Sequence, residues 1–221
     1  MTAQDDAKRR AAVAAAARIE SGMVVGLGSG STAALAVEAL ARRLASGALR
    51  DIVGIPTSAA TQRQATALGI PLGSLEQHPV VDLTVDGADE VDPDGNLIKG
   101  LGGALLREKI VATASRRLVI VVDPSKLVPR LGTRAPVPVE VVAFGAGTHT
   151  AAIRALGAEP VIRLAADGTP FRTDEGHLTL DCRFPQGLID PKSVHAALRA
   201  RVGVVETGLF LGLHPEVVVG R

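Results

Sequence analysis

The chain has 221 residues, 47% of them hydrophobic, and its 24 basic and 23 acidic residues leave a net charge of +1. This balance gives no electrostatic footprint for nucleic acid or for an anionic membrane. Aromatic residues make up only 2% of the chain, too few for base-stacking platforms. A small, highly polar ligand held by hydrogen bonds therefore suits this composition best.

The single cysteine, Cys182, excludes an internal disulfide and a multi-thiolate metal site, and its apolar surroundings predict a buried, inert thiol. The first ten residues are too charged to open a secretory signal. The alanine-rich run that follows is interrupted by Arg18 and Glu20, too soon to span a bilayer. These features predict a cytoplasmic protein.

Helices and strands are predicted to alternate along the first 126 residues. The glycines and polar caps that punctuate the apolar runs indicate helices at 4–20, 32–46, 57–69 and 102–114. Short apolar runs indicate strands at 23–26, 51–55, 80–85 and 118–122. This alternation predicts an α/β fold, with a Rossmann-like, mostly parallel sheet flanked by helices on both faces.

The composition changes after Lys126, where Pro129, Gly132, Pro136 and Pro138 cluster as they would in a linker. Beyond them, strands are predicted at 137–142, 161–164, 178–182 and 204–210, with helices at 148–156 and after Pro191. This order predicts a smaller α+β domain of the split βαβ, ferredoxin-like type. We expect residues 1–130 and 206–221 to form the Rossmann-like domain, with a last strand at 217–219, and residues 131–205 to form the small one.

Four polar loops are the most informative feature of the sequence. Three of them follow predicted strands and the fourth precedes a helix: Gly28–Thr32, Asp86–Glu90, Asp123–Lys126 and Lys99–Gly103. In an open α/β sheet the ligand crevice lies outside the carboxyl ends of the strands. We therefore expect three of these loops to share that edge and the fourth to reach it.

The first loop is not a dinucleotide fingerprint, because Ser31 stands where Gly or Ala is needed, and it lacks the lysine of a Walker A loop. Its backbone N–H groups, with the hydroxyls of Ser29, Ser31 and Thr32, suit a phosphate or sugar hydroxyls. A glycine turn followed by a Ser/Thr helix cap explains the same residues. The loop alone leaves both interpretations open.

The acidic loop places Asp86, Asp89 and Glu90 within five residues. Carboxylates there can accept hydrogen bonds from sugar hydroxyls, and Gly87 permits close approach of the backbone to a ligand. A solvated acidic turn is the ordinary alternative. A calcium loop is disfavoured because Leu101 occupies the position of its terminal glutamate, and the histidines lack ligand spacing, so we expect no metal.

The helix after Gly102 is apolar on nearly every side, so its charged residues Arg107, Glu108 and Lys109 need an explanation. Desolvation of a glutamate in such a helix would favour a general base. Periodicity cannot choose among the three residues, and from periodicity alone an internal ion-pair cluster of the three, at a helix end or a subunit contact, is the favoured interpretation. Lys99 and Lys126 lie in loops where a cation could neutralise a phosphate or an enediolate oxygen.

Taken together, these motifs resemble the type A ribose-5-phosphate isomerase family from about residue 5 to the end. The resemblance is carried by GLGSGSTA (26–33), GIPTS (54–58), TVDGADEVD (84–92), LIKGLGGALLREKIVA (97–112), VDPSK (122–126), PVPVEVVAFG (136–145) and GVVETGLFLG (203–212). VDGADE and KGLGGALLREK are the most specific. The family usually has Thr at the position of Ser29, a change that keeps the hydroxyl.

The resemblance implies a catalytic set of Glu108 as general base, Lys99 as the stabiliser of developing charge, and Asp86 as an aid to ring opening. It implies a substrate-binding set of Ser29, Gly30, Ser31, Thr32, Asp86, Gly87, Ala88, Asp89, Lys99, Gly100, Leu101, Gly102 and Lys126, with Lys8 near the phosphate. The implied reaction interconverts ribose 5-phosphate and ribulose 5-phosphate in the non-oxidative branch of the pentose phosphate pathway.

The resemblance further implies a homodimer or homotetramer that needs no metal or other cofactor, and a sugar phosphate as its only other partner. The sequence disfavours two other classes of protein. A sugar-phosphate sensor on the same fold would normally carry a DNA-binding module, for which the chain shows no basic helix-turn-helix. A nicotinamide-dependent dehydrogenase is disfavoured by Ser31.

Overall fold

The computed structural model describes residues 2–220, which divide into two compact units. Unit 1 comprises Met1–Ala88, Arg107–Lys126 and Leu213–Arg221, and unit 2 comprises Asp89–Leu106 and Leu127–Gly212. The predicted fold class, a parallel α/β domain with a smaller α+β domain, is confirmed.

Unit 1 is built on a five-stranded sheet in which every pair of neighbouring strands is parallel. Its strands are β1 (Val24–Leu27), β2 (Val53–Pro56), β3 (Leu83–Gly87), β6 (Leu118–Val122) and β12 (Glu216–Val219), in the order β12-β6-β3-β1-β2. Its helices are α1 (Ala3–Ala16), α2 (Ser31–Ala45), α3 (Ala59–Ala67) and α4 (Leu105–Thr113), the last beginning just before the unit boundary. The predicted return of the last strand to this sheet is confirmed.

The core of unit 1 fills the space between the sheet and helices α1 and α2. It contains Val25 and Leu27 of β1, Leu83 and Val85 of β3, and Leu40 of α2, all at most 4% exposed. Alanines on α1 let its backbone come close to the sheet. Because these apolar side chains fill the space between the sheet and the helices, the polar residues lie in the loops at the strand ends.

Unit 2 contains two antiparallel sheets. The larger consists of β7 (Val137–Val141), β8 (Glu159–Ile162), β9 (Leu178–Arg183) and β10 (Val204–Thr207), in the order β10-β7-β9-β8, with α5 (Thr150–Ala155) and α6 (Pro191–Arg199) as its crossovers. The smaller is formed by β4 (Glu90–Val91), β5 (Leu97–Ile98) and β11 (Leu209–Phe210). The first of these sheets has the predicted β-α-β-β-α-β order.

The smaller sheet explains where the observed division differs from the predicted one. Residues 89–106, 127–130 and 206–212 were expected in the first domain, but the structure groups them with unit 2. The reason is that β5 pairs with both β4 and β11, while Val128 N donates to Val91 O at 2.9 Å. Two-residue strands in an acidic, glycine-rich stretch have no periodicity from which to be predicted.

Two helix ends also differ from expectation. Helix α1 stops at Ala16, four residues early, and the Arg43 guanidinium donates to the Ala16 carbonyl at that end. Helix α4 begins at Leu105 rather than at Gly102, because Gly103 has a φ of +83° that a helix does not allow. Among residues 2–220, no helix combines the length and apolarity needed to cross a membrane.

Candidate active site

The polar loops of unit 1 meet at the carboxyl edge of its parallel sheet, as predicted. Strands β1, β2, β3 and β6 lie side by side in one direction, with Leu27 level with Pro56 and Val85. The loops after them carry Gly28–Thr32, Thr57 and Ser58, Ala88 and Asp123–Lys126, respectively. This edge is where an open α/β sheet binds its ligand.

Asp86, at the end of β3, is fixed by backbone donors from its own strand and from the neighbouring loop. Its Oδ1 accepts from Ser29 N at 3.1 Å and from Gly87 N at 2.7 Å, and the residue is 1% exposed. A Cβ at Gly28 would lie 2.5 Å from Asp86 Cα, so only glycine allows the two strand ends to approach this closely. The position of the Asp86 carboxylate beside the loop therefore depends on glycine at position 28.

The hydroxyl of Ser29 lies in a cluster of four hydroxyls. Ser29 Oγ is 2.8 Å from Thr57 Oγ1, 2.8 Å from Ser58 Oγ and 3.1 Å from Thr61 Oγ1. Thr61 Oγ1 also donates to Gly28 O at 3.0 Å, and Thr57 Oγ1 to Leu27 O at 2.9 Å. This hydroxyl cluster ties the loop after β1 to the start of α3. Sequence reasoning placed Ser29 in the substrate set and missed Thr57 and Thr61 as its partners.

Helix α2 begins without a side-chain cap, which argues against the Ser/Thr cap considered for this loop. Its N-cap is Gly30, with a φ of +91°, and no side chain bonds to the first-turn N–H groups. Lys8 Nζ donates to Ser31 Oγ at 3.3 Å beside them, while Thr32 is buried. A helix N-terminus with a lysine nearby is well suited to an anion such as a phosphate.

Glu108 is the most deeply buried of the three charged residues on α4. It is 5% exposed, whereas Arg107 and Lys109 are half-buried. One turn further on, Val111 packs on the sheet. A Cβ added at Gly26 would lie 2.8 Å from Val111 Cγ1, and it would also lie 1.9 Å from Thr84 Oγ1 on the neighbouring strand.

The direction of α4 determines where Glu108 lies along the sheet. At the end of α4, Ala114 O accepts from Val81 N at 2.9 Å, and Val81 precedes the first residue of β3, so α4 runs toward the amino ends of the strands. Glu108 precedes Val111 by three residues, about 4.5 Å of helix rise. It is therefore displaced from Gly26 toward the carboxyl edge, where Gly28 and Asp86 lie.

Asp123 follows β6 at the same edge and orders the turn that carries Lys126. Burial alone would raise the pKa of Asp123, but hydrogen bonds from Ser125 and Gln4, aided by the Lys126 charge, hold it below its usual value. Lys126 N donates to Asp123 O at 3.1 Å, and the Lys126 side chain is half-buried. The turn thus presents a cation at this edge.

In unit 2, Asp89 and Lys99 flank the small sheet of β4, β5 and β11. Asp89 N donates to Ile98 O at 2.8 Å, and Lys99 N donates to Gly208 O at 2.9 Å. Lys99 is 3% exposed, and its Nζ lies 5.6 Å from the centroid of the Phe210 ring. No local pattern around Lys99 indicates an apolar setting, because its aromatic neighbour comes from β11, far along the chain.

The remaining acidic residues of this stretch support the backbone. Glu90, 1% exposed, accepts from Gly132 N, Arg134 N and Ala135 N at 2.6, 2.6 and 2.7 Å. Asp92 accepts from the backbone of Asp94 and Asn96 in the turn between β4 and β5. Within residues 2–220, no three His, Cys, Asp or Glu side chains are grouped so that they could hold a metal ion.

A Rossmann-like sheet with polar loops at its carboxyl edge, and a ferredoxin-like unit in the same chain, define a class of α/β proteins that bind small phosphorylated ligands. The comparisons with known proteins specify the family. Residues 53–221 match the family model described as ribose 5-phosphate isomerase A (phosphoriboisomerase A). The chain belongs to the ribose 5-phosphate isomerase A family and is an isomerase.

Relatives and solved structures agree along almost the whole chain. The ribose-5-phosphate isomerase A of Synechococcus sp. (strain JA-3-3Ab) is 51% identical over 99% of this chain and 95% of its own length, and that of Gloeobacter violaceus is 55% identical over 97% and 92%. A D-ribose-5-phosphate isomerase solved in complex with phospho-erythronic acid superposes with a TM-score of 0.96 at 38% identity, covering 99% of this chain and 96% of its own. The enzyme from Methanocaldococcus jannaschii gives 0.91 at 38% identity over 97% and 94%.

Proposed function

We propose that the chain interconverts D-ribose 5-phosphate and D-ribulose 5-phosphate by metal-independent proton transfer through an enediolate, in the non-oxidative branch of the pentose phosphate pathway. Membership of the ribose 5-phosphate isomerase A family carries the reaction. The observation that carries the mechanism is the burial of Glu108 on α4, displaced toward the carboxyl edge of the sheet.

Glu108 is the proposed general base. Its carboxylate removes the proton from C2 of the open-chain aldose, and the electron pair of that C–H bond forms the C1–C2 double bond of the enediolate. The C1 carbonyl electron pair moves onto O1, a proton passes from the C2 hydroxyl to O1, and Glu108 returns its proton to C1 as the C2 carbonyl forms, giving the ketose. A positioned base of this kind contributes roughly 10² to 10⁴ in rate.

Lys99 is proposed to stabilise the negative charge that develops on the substrate oxygens, together with the backbone N–H groups of Gly100 and Gly102. A buried ammonium beside an aromatic ring is weakly screened by water, so its effect on a developing charge is strong. Glycines at 100 and 102 let the backbone approach the ligand without side chains in between.

Asp86 is proposed to assist opening of the furanose ring, and Asp89 to bind sugar hydroxyls. The fixed orientation of Asp86 supports this assignment, because two backbone N–H groups, those of Ser29 and Gly87, donate to its Oδ1. Gly87 at the end of β3 and Ala88 directly after it have no bulky side chains, which suits a sugar lying across this edge. A carboxylate held in this way needs no rearrangement when the substrate binds.

The phosphate is assigned to the N-terminus of α2, with Gly30, Ser31 and Thr32 in the loop and Lys126 and Lys8 as cations. The absence of a side-chain cap on α2 supports this assignment. Ser29 belongs to the same loop, and its hydroxyl contributes through the hydroxyl cluster.

The assembly and the location complete the proposal. We propose a homodimer or homotetramer in the cytoplasm, acting on a sugar phosphate with no nucleic acid, membrane or other cofactor involved. Light scattering coupled to size-exclusion chromatography gives the mass of the assembly. A monomeric mass at assay concentration would refute the oligomer.

The route of the hydrogen is tested by running the reaction in deuterated water. Proton transfer through Glu108 allows solvent exchange at the enediolate, so the ribulose 5-phosphate formed from unlabelled substrate should carry deuterium at C1. Complete retention of the substrate hydrogen would instead indicate a hydride shift and refute the mechanism. A coupled assay for ribulose 5-phosphate on the same enzyme verifies that turnover takes place.

A further inference from the structure

The glycine-rich loop at 100–103 directly follows Lys99. It can hold that lysine in place only if other residues restrain its backbone. Gly100 and Gly103 have φ values of +104° and +83°, and Leu101 and Gly102 between them are exposed. Glycines in such conformations give the backbone little stiffness of its own. A misplacement of a catalytic group by about 1 Å can cost roughly 10² in rate, so a mobile loop here would be damaging.

Arg163, which directly follows β8 in unit 2, supplies this support. Its Nη1 donates to Gly100 O at 2.8 Å and to Leu101 O at 3.1 Å. One nitrogen therefore holds the carbonyl groups of two successive peptides. Sequence reasoning gave no role to this residue, which lies 63 positions from Gly100.

Arg163 is itself fixed from several directions. Its Nε donates to Asp181 Oδ2 at 2.9 Å, its Nη2 pairs with the other oxygen of Asp181, and its side chain is 12% exposed. The guanidinium lies 5.7 Å from the centroid of the Phe171 ring, and Phe171 N donates to Arg163 O at 2.8 Å. A paired and stacked arginine of this kind has little rotational freedom.

Phe171 links this support directly to the loop. A Cβ at Gly103 would lie 2.4 Å from the tip of the Phe171 ring, so the ring fills the space beside that glycine. The glycine-rich segment is thus held at Gly100 and Leu101 by Arg163, and bounded at Gly103 by the ring on which Arg163 stacks.

The geometry of a trans peptide extends the effect to the N–H groups, because its C=O and N–H point in opposite directions. The Leu101 N–H shares a peptide with Gly100 O and donates to Asp89 Oδ2 at 3.0 Å, so opposite charges hold the two sides of this peptide. In the next peptide, Leu101 O is held by Arg163, and the Gly102 N–H is therefore directed away from Arg163.

We propose that Arg163 is a positioning residue of the isomerase. It orients the peptide between Gly100 and Leu101 and the peptide between Leu101 and Gly102, and it does not touch the substrate. The inference rests on the proposed function, in which Lys99 and the N–H groups of this loop stabilise the enediolate. Positioning by Arg163 acts on the transition state, so loss of Arg163 lowers kcat more than it raises KM.

The test compares Arg163→Ala with Arg163→Lys and with Arg172→Ala as the matched control. Arg172 is an exposed arginine of the same unit that donates to Gly176 O at 2.7 Å. We expect Arg163→Ala to lower kcat by about 10²-fold with KM changed less than threefold. Arg163→Lys keeps the charge beside Asp181 but loses the planar guanidinium, whose several nitrogens contact Asp181 and the loop at once. Its kcat should therefore lie between those of Arg163→Ala and the wild type. Methylguanidinium should restore part of the kcat of Arg163→Ala and leave the control unchanged.

Hydrogen exchange separates this proposal from the proposed function. Loss of Arg163 should speed exchange of the Leu101 amide in a folded protein, whether or not the chain turns over substrate. Wild-type kcat in Arg163→Ala, unchanged exchange at Leu101, or a loss of activity that follows the unfolded fraction and resists methylguanidinium would overturn the positioning role. A wild-type chain without isomerase activity would instead refute the proposed function, and the exchange experiment would still decide the position of the loop.

Discussion

Two glycine-rich loops, one in each unit, are held in place by different chemistry. The Gly28–Thr32 loop of unit 1 is tied down by neutral hydroxyls and by one carboxylate that accepts from the backbone. The Gly100–Gly103 loop of unit 2 is held between the charged groups of Arg163 and Asp89. The residues that hold the first loop come from the end of β3 and the start of α3, whereas Arg163 belongs to the hairpin after β8.

The difference shows what each loop is suited to do. A loop at a helix N-terminus already offers oriented N–H groups, so neutral hydroxyls are sufficient to fix it. Helix α4 begins only at Leu105, so the peptides at residues 100–102 lie before its first turn, and charged hydrogen bonds, roughly twice as strong as neutral ones, hold them instead.

The largest effect on stability should come from closing the space at Gly28. In Gly28→Ala the new methyl group would meet Asp86 Cα, a backbone atom of a central strand that cannot rotate away. We expect the free energy of unfolding to fall by about 1–3 kcal/mol, as in other overpacked cores. Gly147→Ala, at a glycine with open space around it, is the control for denaturant titration. Equal stability of the two variants would mean that Gly28 and Asp86 are not in close contact.

A smaller effect should follow from removing one member of the hydroxyl cluster. Thr61→Val keeps the shape of the side chain but removes the donor to Gly28 O, and we expect a loss of about 1–2 kcal/mol. Thr66→Val on the same helix removes an exposed hydroxyl that donates to Gln62 O, and it should change stability by less than about 0.5 kcal/mol. Identical losses in both variants would argue that the cluster contributes nothing to the fold.

The smallest change is expected at Cys182 on β9, the strand that also carries Asp181. Burial, with the nearby Asp181 charge, raises the pKa of Cys182 to about 12, so only about one thiol in 10⁴ is ionised at pH 8. We expect a disulfide reagent to leave the native protein unlabelled at that pH and to label it in guanidinium chloride. Rapid labelling without denaturant would show that β9 opens, and with it the anchor of Arg163.

Much of unit 1 could be predicted from the sequence because its signals are local. Glycine turns after apolar runs marked the strand ends of β1 and β3, and parallel topology then brought those ends together. The apolar surroundings of α4 showed that a charged residue had to be buried there. Which of Arg107, Glu108 and Lys109 it was could not be decided, because each had apolar neighbours one turn away.

The support of both loops escaped prediction because it depends on contacts between distant residues. Glu90 looked like a further ligand-binding carboxylate, yet it binds the backbone of residues 132–135, 42 or more positions away. No local pattern in the sequence marks Thr61 or Arg163 as a residue that holds a loop in place. Hydrogen bonds of this kind leave no periodicity in the sequence.

The most direct test of the account is the kcat of Glu108→Gln, measured beside Glu38→Gln as the control, a glutamate of the same unit whose side chain is 41% exposed. The amide keeps the shape of the side chain but cannot accept the substrate proton. We expect kcat to fall on the order of 10³-fold with KM nearly unchanged, and Glu38→Gln to behave like the wild type. A Glu108→Gln enzyme that turns over within threefold of the wild-type rate would contradict the assignment of this buried carboxylate as the base.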